Sequence, residues 1–239
     1  MRSLSRVPRP SHLPLASVRT EVQLPMGFAD GFATTGRLVT FDGLVDGREH
    51  VALGLGSWAA GPLAGSGATQ RTPLVRLHSE CLTGDVFGSE RCDCGPQLAE
   101  AVRVIAEAGG YLLYLRQEGR GIGLYAKLDA YVLQDDGLDT FEANEALGYG
   151  ADERDYAVAV QMLRALGVER LELFGNNPDK VAQLRRHGVT VTHRVSTSVH
   201  LTPRNARYLA AKVRHGAHAL DLPDIATTDR AVPDVAAGQ

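Results

Sequence analysis

From Leu74 onward, the chain alternates short apolar runs with amphipathic stretches, and this alternation limits the folds that it can adopt. The apolar runs predict strands at Leu74–His78, Tyr111–Leu115, Arg170–Phe174 and Val189–Val195. The amphipathic stretches predict helices that begin near Pro96, Gly123, Asp155, Asp179 and Arg204. Alternating strands and helices form a sheet covered by helices. The sequence therefore predicts an α/β protein with mixed α+β layers, in which helices flank a central sheet.

A β-rich segment precedes this alternation. Residues 21–56 have little helical periodicity, and their apolar pairs are separated by glycine, aspartate and threonine, which is typical of short strands and turns. Residues 54–70 are rich in glycine, alanine and serine, which predicts a surface loop. We therefore predict a disordered N-terminal tail at residues 1–20, one domain at residues 21–220 and a flexible C-terminal tail at residues 221–239.

Composition and charge exclude several classes of function. The chain has 239 residues, 44% of them hydrophobic, and a formal net charge of −3. Such a chain has no overall positive field to attract nucleic acid, and no apolar run approaches the roughly 18 residues of a membrane span. Its N-terminal residues lack the apolar core of a secretory signal, and free cysteines are typical of a reducing compartment. We expect a cytoplasmic protein whose partners are neither nucleic acid nor membrane.

All three cysteines of the chain, Cys81, Cys92 and Cys94, lie in one short segment. An odd number of clustered thiols is a poor disulfide framework. Three thiolates suit zinc and leave its fourth position open for water, as in catalytic rather than structural sites. The alternative is that these cysteines are small buried apolar residues. The surrounding residues are polar, which favours the metal site.

A second cluster, Arg116-Gln-Glu-Gly-Arg-Gly-Ile-Gly123, joins a predicted strand to a predicted helix. Glycines let backbone N–H groups approach an anion at a helix start, and arginine binds phosphate with two hydrogen bonds. Glu118 suits the N–H edge of a guanine-like base. A solvated turn is an equally good interpretation, because the glycine spacing matches neither the Walker motif nor the dinucleotide motif.

Other polar residues allow a functional and a structural interpretation. Asp152-Glu-Arg154 offers a general base beside an arginine, or a solvated first helical turn with acids that suit the helix dipole. Asn176-Asn-Pro178 predicts a turn and a helix start, from which Lys180 can reach a phosphate, although a plain helix cap explains the pattern equally well. Tyr131 lies in phase with apolar residues of its helix, as a core tyrosine would.

Together these segments resemble GTP cyclohydrolase II, the first enzyme of riboflavin synthesis. The resemblance extends from about Val22 to Leu220 and is carried by several motifs in one order. The motifs are His78-Ser-Glu-Cys-Leu-Thr-Gly-Asp85, Arg91-Cys-Asp-Cys-Gly95, Arg116-Gln-Glu-Gly-Arg120, Gly121-Ile-Gly-Leu124, Asp139-Thr140, Glu142-Ala-Asn144, Asp152 to Arg154, and Asn176-Asn-Pro178 with Lys180. The segment before Leu74 is too short for the second synthase domain of many relatives, so we expect the monofunctional form, with residues 21–220 as its catalytic domain.

The resemblance implies a zinc-dependent hydrolase that opens the imidazole ring of GTP at C8. Its products are formate, pyrophosphate and a diaminopyrimidinone ribosylamino phosphate. Cys81, Cys92 and Cys94 match the family's ligands to one zinc ion per subunit. The resemblance further implies Mg²⁺ on the triphosphate, whose hard oxygens suit that ion, and a homodimer.

The resemblance also implies roles for other residues. Asp152 matches a proton acceptor, and Tyr131 matches a tyrosine that assists ring opening. Arg154 matches a proposed nucleophile at the α-phosphorus, although electrostatic stabilisation suits a protonated guanidinium better. The family usually has threonine at the position of Gly175, so a hydroxyl contact is absent here. The substrate-binding positions are Arg76, Leu77, His78, Ser79, Glu80, Gln97, Glu118, Gly119, Arg120, Thr140, Gly175 and Lys180.

Two alternatives stay open from the sequence. In the first, a paralogue with the same fold stops at a formylated intermediate or acts on a related nucleotide in secondary metabolism, and the glycine at position 175 is compatible with it. In the second, the chain is a non-catalytic nucleotide-binding protein with a structural zinc. The presence of Tyr131, Asp152 and Arg154 argues against that second alternative.

Overall fold

The computed structural model describes residues 13–61 and 72–216. The strands are β1 (Ser17–Gly27), β2 (Ala33–Asp42), β3 (Val51–Leu55), β4 (Leu74–Ser79), β5 (Gly110–Leu115), β6 (Arg170–Phe174) and β7 (Thr190–Val195). The helices are α1 (Leu82–Asp85), α2 (Cys94–Ala108), α3 (Leu124–Asp135), α4 (Thr140–Ala146), α5 (Ala157–Ala165), α6 (Pro178–Arg186) and α7 (Ala206–Gly216). Short 3₁₀ turns lie at Gly56–Trp58 and Glu118–Gly121.

Within the described residues, all strands belong to one seven-stranded sheet of order β1-β2-β3-β5-β4-β6-β7. The pairs from β1 to β5 are antiparallel, and the pairs among β5, β4, β6 and β7 are parallel. Parallel neighbours need helical crossovers, which α2, α5 and α6 provide. The predicted α/β class, with a central sheet, flanking helices and a β-rich N-terminal segment, is confirmed.

The central strands divide their side chains between two cores, because successive residues of a strand face opposite sides. Val75 and Leu77 of β4 pack with Met162 of α5 and Leu184 of α6. Leu74 packs with the helix α2 on the other side of the sheet. Fully burying each such side chain contributes about 1.5–3 kcal/mol. The same alternation places Arg76 and His78 on the α2 side, where the cysteines lie.

Two predicted boundaries are wrong at the N-terminal side of the domain. Strand β1 begins at Ser17, so residues 17–20 are not a disordered tail, because they pair with the end of β2 near Asp42. Strand β3 extends to the fully buried Leu55, so the predicted loop at 54–70 begins too early. Residues 1–12, 62–71 and 217–239, which hold the rest of these predicted segments and the C-terminal tail, lie outside the described residues.

Helix α4 was not predicted, although its start has a clear signature. The Asp139 carboxylate accepts hydrogen bonds from the backbone N–H groups of Phe141 and Glu142, and the Glu142 carboxylate accepts one from the N–H of Asp139. This reciprocal capping box satisfies N–H groups that a helix start leaves unpaired. Among the described helices, none is long and apolar enough to cross a membrane.

Candidate active site

The candidate site lies at the carboxyl ends of the parallel strands. Strand β4 leads into Glu80 and Cys81, β5 leads into the segment 116–123, and β6 leads into the segment 175–180. The chain leaves β5 on one side of β4 and enters β6 on the other side. Such a switch in strand order opens a crevice at the carboxyl edge of a sheet, where ligands bind in open α/β folds.

Three sulfur atoms converge at one end of this cleft. Cys81 follows β4, while Cys92 and Cys94 lie at the start of α2, and their Sγ atoms all lie within 4.8 Å of one another. The cysteines are free, and the Sγ atoms of Cys81 and Cys92 are 3.6 Å apart. Tetrahedral thiolate ligands at a metal–sulfur distance of about 2.3 Å would be about 3.8 Å apart. The donor set therefore fits a soft or borderline divalent metal ion with one open position.

Two glycines make this convergence possible. A Cβ at Gly84 would lie 2.9 Å from Cys92 Sγ and 3.2 Å from Cys81 Sγ. A Cβ at Gly95 would lie 2.4 Å from the carbonyl oxygen of Gly84. All three distances are shorter than ordinary van der Waals contact. Larger residues at these two positions would force α1 away from α2 and separate the sulfur atoms.

A buried lysine supports the thiolate form of Cys81. The Lys127 ammonium donates to Cys81 Sγ at 3.1 Å, to Thr83 Oγ1 at 3.0 Å and to Glu118 Oε1 at 2.8 Å. Hydrogen bonds from Cys92 and Cys94, and then the charge of Lys127, hold the pKa of Cys81 far below that of a free thiol. The thiolate is the metal-binding form of cysteine, so Cys81 is electrostatically prepared for a cation.

A buried carboxylate organises the segment between β4 and Cys81. Asp85 accepts hydrogen bonds from His78 Nε2 at 3.1 Å, from Tyr114 Oη at 2.9 Å and from the backbone N–H of Cys81 at 3.0 Å. Burial is the main cause that lowers the pKa of His78, so its ring is neutral near pH 7. With Nε2 donating to Asp85, the other ring nitrogen, Nδ1, is a hydrogen-bond acceptor.

Cationic side chains line the rest of the cleft, namely Arg76, Arg120, Arg154, Lys180 and Lys212. Arg76 is buried and donates from Nη2 to Gln97 Oε1 at 2.6 Å. The buried Lys180 donates to the carbonyl oxygen of Leu77 at 2.6 Å. Burial and then the neighbouring cations Arg76 and Arg154 lower the pKa of Lys180 well below its usual range. An anion bound here would relieve that repulsion.

The turn after β5 holds Arg120 in an unusual conformation. Its φ is 62°, in the left-handed region that residues other than glycine rarely adopt. Its guanidinium lies 3.8 Å from the centre of the Phe141 ring. Residues kept in such conformations cluster at ligand sites, where the surrounding structure compensates a cost of about 1–3 kcal/mol. The turn therefore aims a fixed cation into the cleft.

Glu118 is engaged within the protein rather than free in the cleft. Its Oε2 accepts from the backbone N–H of Leu82 at 2.7 Å, and its Oε1 accepts from Lys127 and from the N–H of Gly119. The sequence suggested that this carboxylate accepts hydrogen bonds from a guanine-like edge. In the structure its oxygens join the segment after β4 to the turn after β5.

Arg154 lines the cleft and Asp152 supports it. The Asp152 carboxylate accepts from Arg154 Nε at 2.8 Å and also pairs with Nη2. Burial opposes ionisation of Asp152, but Arg154 outweighs it and lowers the Asp152 pKa. Burial likewise opposes the charge of Arg154, while Tyr156 and Asp152 raise its pKa above the usual value. Both groups are therefore ionised near neutral pH, and Arg154 keeps its proton.

Tyr131 and Thr140 approach the cleft from α3 and α4. The Tyr131 hydroxyl lies 3.2 Å from Thr83 Oγ1, close to the cysteines. Burial is the main cause that raises the pKa of Tyr131, so its hydroxyl remains protonated. Thr140 lines the cleft together with Asn144, which lies one helical turn further along α4 on the same face.

Nearly all of the site residues expected from the sequence come together in this cleft. Leu77 and Asp152 do not line it, since Leu77 is in the core and Asp152 lies behind Arg154. Gly175 lines the cleft, and a Cβ there would lie 3.1 Å from Arg76 Nη1. Sequence reasoning missed Lys127, Asn144, Asn176, Tyr208 and Lys212, which also line the cleft. Lys127 lies one turn before Tyr131 on α3, and this spacing is the sequence feature that indicates that Lys127 lines the cleft.

Three lining residues carry buried polar atoms without a hydrogen-bond partner in the described part of the chain. They are Arg76 Nε, His78 Nδ1 and Asn144 Nδ2. Buried polar atoms are almost always paired, and each exception requires an explanation. The three atoms lie on β4 and α4, beside the cleft.

Fold and site together define an α/β protein with a cation-lined cleft that ends at a three-thiol cluster. The model of the family GTP cyclohydrolase II matches residues 18–196. The chain is 49% identical to "GTP cyclohydrolase-2" of Vibrio cholerae serotype O1. It is 44% identical to the protein of the same name from Psychromonas ingrahamii. Each of these two alignments covers 87% of this chain and 100% of the relative. "Riboflavin biosynthesis protein RibBA" of Bacillus subtilis is 46% identical over 86% of this chain and 49% of its own length.

The chain therefore belongs to the GTP cyclohydrolase II family, and it is an enzyme of this type.

Proposed function

We propose that the protein is a zinc-dependent hydrolase that opens the imidazole ring of GTP and releases formate and pyrophosphate. The product is the diaminopyrimidinone ribosylamino phosphate, and the reaction is the first step of riboflavin synthesis. The observation that carries this proposal is that a three-thiol cluster and a set of buried cations face one cleft. In a nucleotide, the base ring can lie against the thiol cluster and the polyphosphate can lie among the cations.

In this proposal the base lies against the thiol cluster. Cys81, Cys92 and Cys94 hold one zinc ion, which supplies Lewis-acid activation of water near neutral pH. The protonated Tyr131 is placed beside Thr83 and the cysteines, where it donates a proton to the opening ring. Lys127 keeps Cys81 in its ligand form.

The phosphates lie among the cations of the cleft. The triphosphate, together with Mg²⁺, is bound by Arg76, Arg120 and Lys180. Arginine binds phosphate through two parallel N–H groups, and lysine binds it as a point charge. Arg154 stabilises the negative charge that develops when pyrophosphate leaves. It does not act as a nucleophile, because Asp152 and Tyr156 favour its protonated form. A water molecule attacks the α-phosphorus and displaces pyrophosphate, and the ionised Asp152 beside Arg154 takes the proton of that water.

We also propose that the protein works as a homodimer, as the family resemblance implies. Helix α3 presents three apolar side chains to solvent at helical spacing, with Tyr125 83%, Leu128 42% and Val132 63% exposed. Residues separated by three and four positions share a helix face. An exposed apolar face of this kind is typical of a surface that another protein covers.

The test of the proposed function is incubation of zinc-loaded protein with GTP and Mg²⁺. Formate, pyrophosphate and nucleotide products are followed by coupled assays and mass spectrometry. We expect formate and pyrophosphate in equal amounts, and we expect Cys92→Ala to bind less zinc and to lose turnover while its circular dichroism is unchanged. Cys92→Ala that unfolds instead would indicate a structural zinc. Pyrophosphate with the formyl group retained on the product would favour the paralogue, and no consumption of GTP would refute the assignment.

A further inference from the structure

The C-terminal helix α7 forms a wall of the cleft, although it lies beyond the segment that the family model matches. That match ends at residue 196, and α7 comprises Ala206–Gly216. Tyr208 and Lys212 of this helix line the cleft. They are one turn apart and therefore share a face. None of the roles that the family resemblance implies falls on them.

The connection to α7 is fixed by hydrogen bonds on both sides of the cleft. Asn176, after β6, donates from Nδ2 to Thr197 Oγ1 at 2.8 Å and accepts from the N–H of Thr197 at 3.1 Å. Glu100 of α2 accepts from the N–H of Ser198 at 2.9 Å and pairs with His200 at 3.0 Å. Because these contacts anchor the chain before α7, the helix position follows from the fold.

Lys212 joins α7 to the cysteine segment. Lys212, 9% exposed, donates from its ammonium to Asp93 Oδ1 at 2.6 Å. Asp93, 1% exposed, stands between the two cysteines at the start of α2. The other Asp93 oxygen accepts from Gln97 Nε2 at 2.5 Å, and Gln97 in turn accepts from Arg76. This chain of contacts ties α7 to the cations of the cleft, so displacing the helix would leave the buried Asp93 carboxylate without its cationic partner.

Tyr208 lines the cleft beside Arg120. Its side chain forms a hydrogen bond with the Arg120 guanidinium. The Lys212 ammonium lies 4.4 Å from the centre of its ring and covers one face. A planar aromatic side chain in this place suits a purine, because base–aromatic stacking does not require a particular base edge.

We propose that Tyr208 is a substrate-contacting residue, whose ring packs against the purine of the nucleotide, and that Lys212 is the positioning residue that holds α7 and Tyr208 over the cleft through Asp93. The inference rests on the proposed function for the identity of the nucleotide. It adds to that function a wall of the substrate site built from the C-terminal helix.

Binding of the α,β-methylene analogue of GTP to the zinc-loaded full chain, measured by calorimetry, tests the role of Tyr208. We expect Tyr208→Ala to raise the dissociation constant about tenfold, the effect of one lost stacking contact, and Tyr208→Phe to leave it within about twofold. Val213→Ala, at an exposed position of the same helix, is the matched control. Binding by Tyr208→Ala that equals wild type, or an equal loss in Val213→Ala, would overturn the inference.

Hydrogen exchange of α7 amides tests the role of Lys212. We expect Lys212→Met to speed exchange in residues 206–214 and to raise the KM for GTP more than it lowers kcat, while Lys212→Arg restores both. Slow exchange in Lys212→Met would refute the positioning role. Wild-type protein that fails to bind the analogue would overturn the proposed function and this inference together. If wild type binds it but Tyr208→Ala binds equally well, only the inference fails.

Discussion

Individual side chains of this protein carry more buried charge than a simple core would tolerate, and each is held by specific partners. Lys127 is the clearest case, because its ammonium is shared between a thiol sulfur, a hydroxyl and the Glu118 carboxylate. Removing one member of such a buried pair leaves the other uncompensated, at a cost of about 3–5 kcal/mol. The same ion pairs therefore determine both the stability of the cleft and the distribution of charge in it.

His50 gives a prediction about pH. Its Nε2 pairs with Asp46 at 2.8 Å and its Nδ1 accepts from the backbone N–H of Arg116 at 2.9 Å, which fixes a neutral ring. Burial lowers the pKa of His50 in the folded state. Above the unfolded pKa, about 6.5, both states are neutral. Below it the unfolded state binds the proton first, so the free energy of unfolding falls as the pH falls.

We expect urea unfolding between pH 7 and pH 5 to show this loss, with a slope of at most about 1.4 kcal/mol per pH unit for one proton. His50→Asn, which keeps an acceptor near the Arg116 N–H, should lower stability at pH 7 but reduce the slope. His193→Gln, at an exposed position of β7, controls for the loss of a histidine. A slope unchanged in His50→Asn would contradict the assignment.

At the scale of secondary structure, the capping box of α4 controls the position of Thr140 and Asn144. The Asp139 carboxylate accepts from the N–H groups of Phe141 at 2.8 Å and Glu142 at 3.0 Å. Loss of such a cap costs about 1 kcal/mol. Since Thr140 is the first residue of the helix, fraying of this turn would also displace a residue that lines the cleft.

We therefore expect Asp139→Ala to lower the free energy of unfolding by about 1 kcal/mol and to raise the KM for GTP. Chemical denaturation and steady-state kinetics measure the two effects. Glu145→Ala, on the exposed side of the same helix, should change neither. Loss of stability in Glu145→Ala as large as in Asp139→Ala would show that general helix propensity, not the cap, is responsible.

Elements with a strong periodic pattern were predictable from the sequence. Strand β6 begins and ends where its apolar run predicts, and α6 begins one residue earlier than predicted, at Pro178. Helix α4 was missed because its seven residues are too few to show a helical period, although Asp139 and Glu142 have capping-box spacing. Strand β1 was placed too late, because it lies at the edge of the sheet, with mostly exposed residues and little apolar alternation.

The candidate site was predictable where motifs are continuous and hidden where partners are distant in sequence. The cysteines and the turn after β5 are compact motifs, so their residues could be proposed before the fold was known. Lys212 contacts Asp93, and Lys127 contacts Cys81, across long sequence separations. The spacing to Tyr131 points to Lys127, but nothing in local periodicity distinguishes Lys212 from a lysine on a solvated helix face.

At the scale of the whole molecule, the apolar face of α3 predicts the state of association. Val132→Glu with Tyr125→Glu should convert a dimer into a monomer, because paired carboxylates are costly to bury. Light scattering would show the wild type at twice the chain mass of 25.6 kDa and the double variant at that mass. Val45→Glu, an exposed apolar position elsewhere, is the control. A wild type that is monomeric at micromolar concentration would refute the proposed dimer.

The strand order also bears on how the protein is made. Strand β4 lies between β5 and β6, yet the ribosome releases it long before β6. At about 5–20 residues per second, the nascent chain carries this apolar strand without one of its neighbours for roughly 5–20 seconds. Helix α7, the last described element, emerges later still. The cleft is therefore complete only once α7 has been synthesised, and a ligand that contacts Tyr208 or Lys212 can first bind at that point.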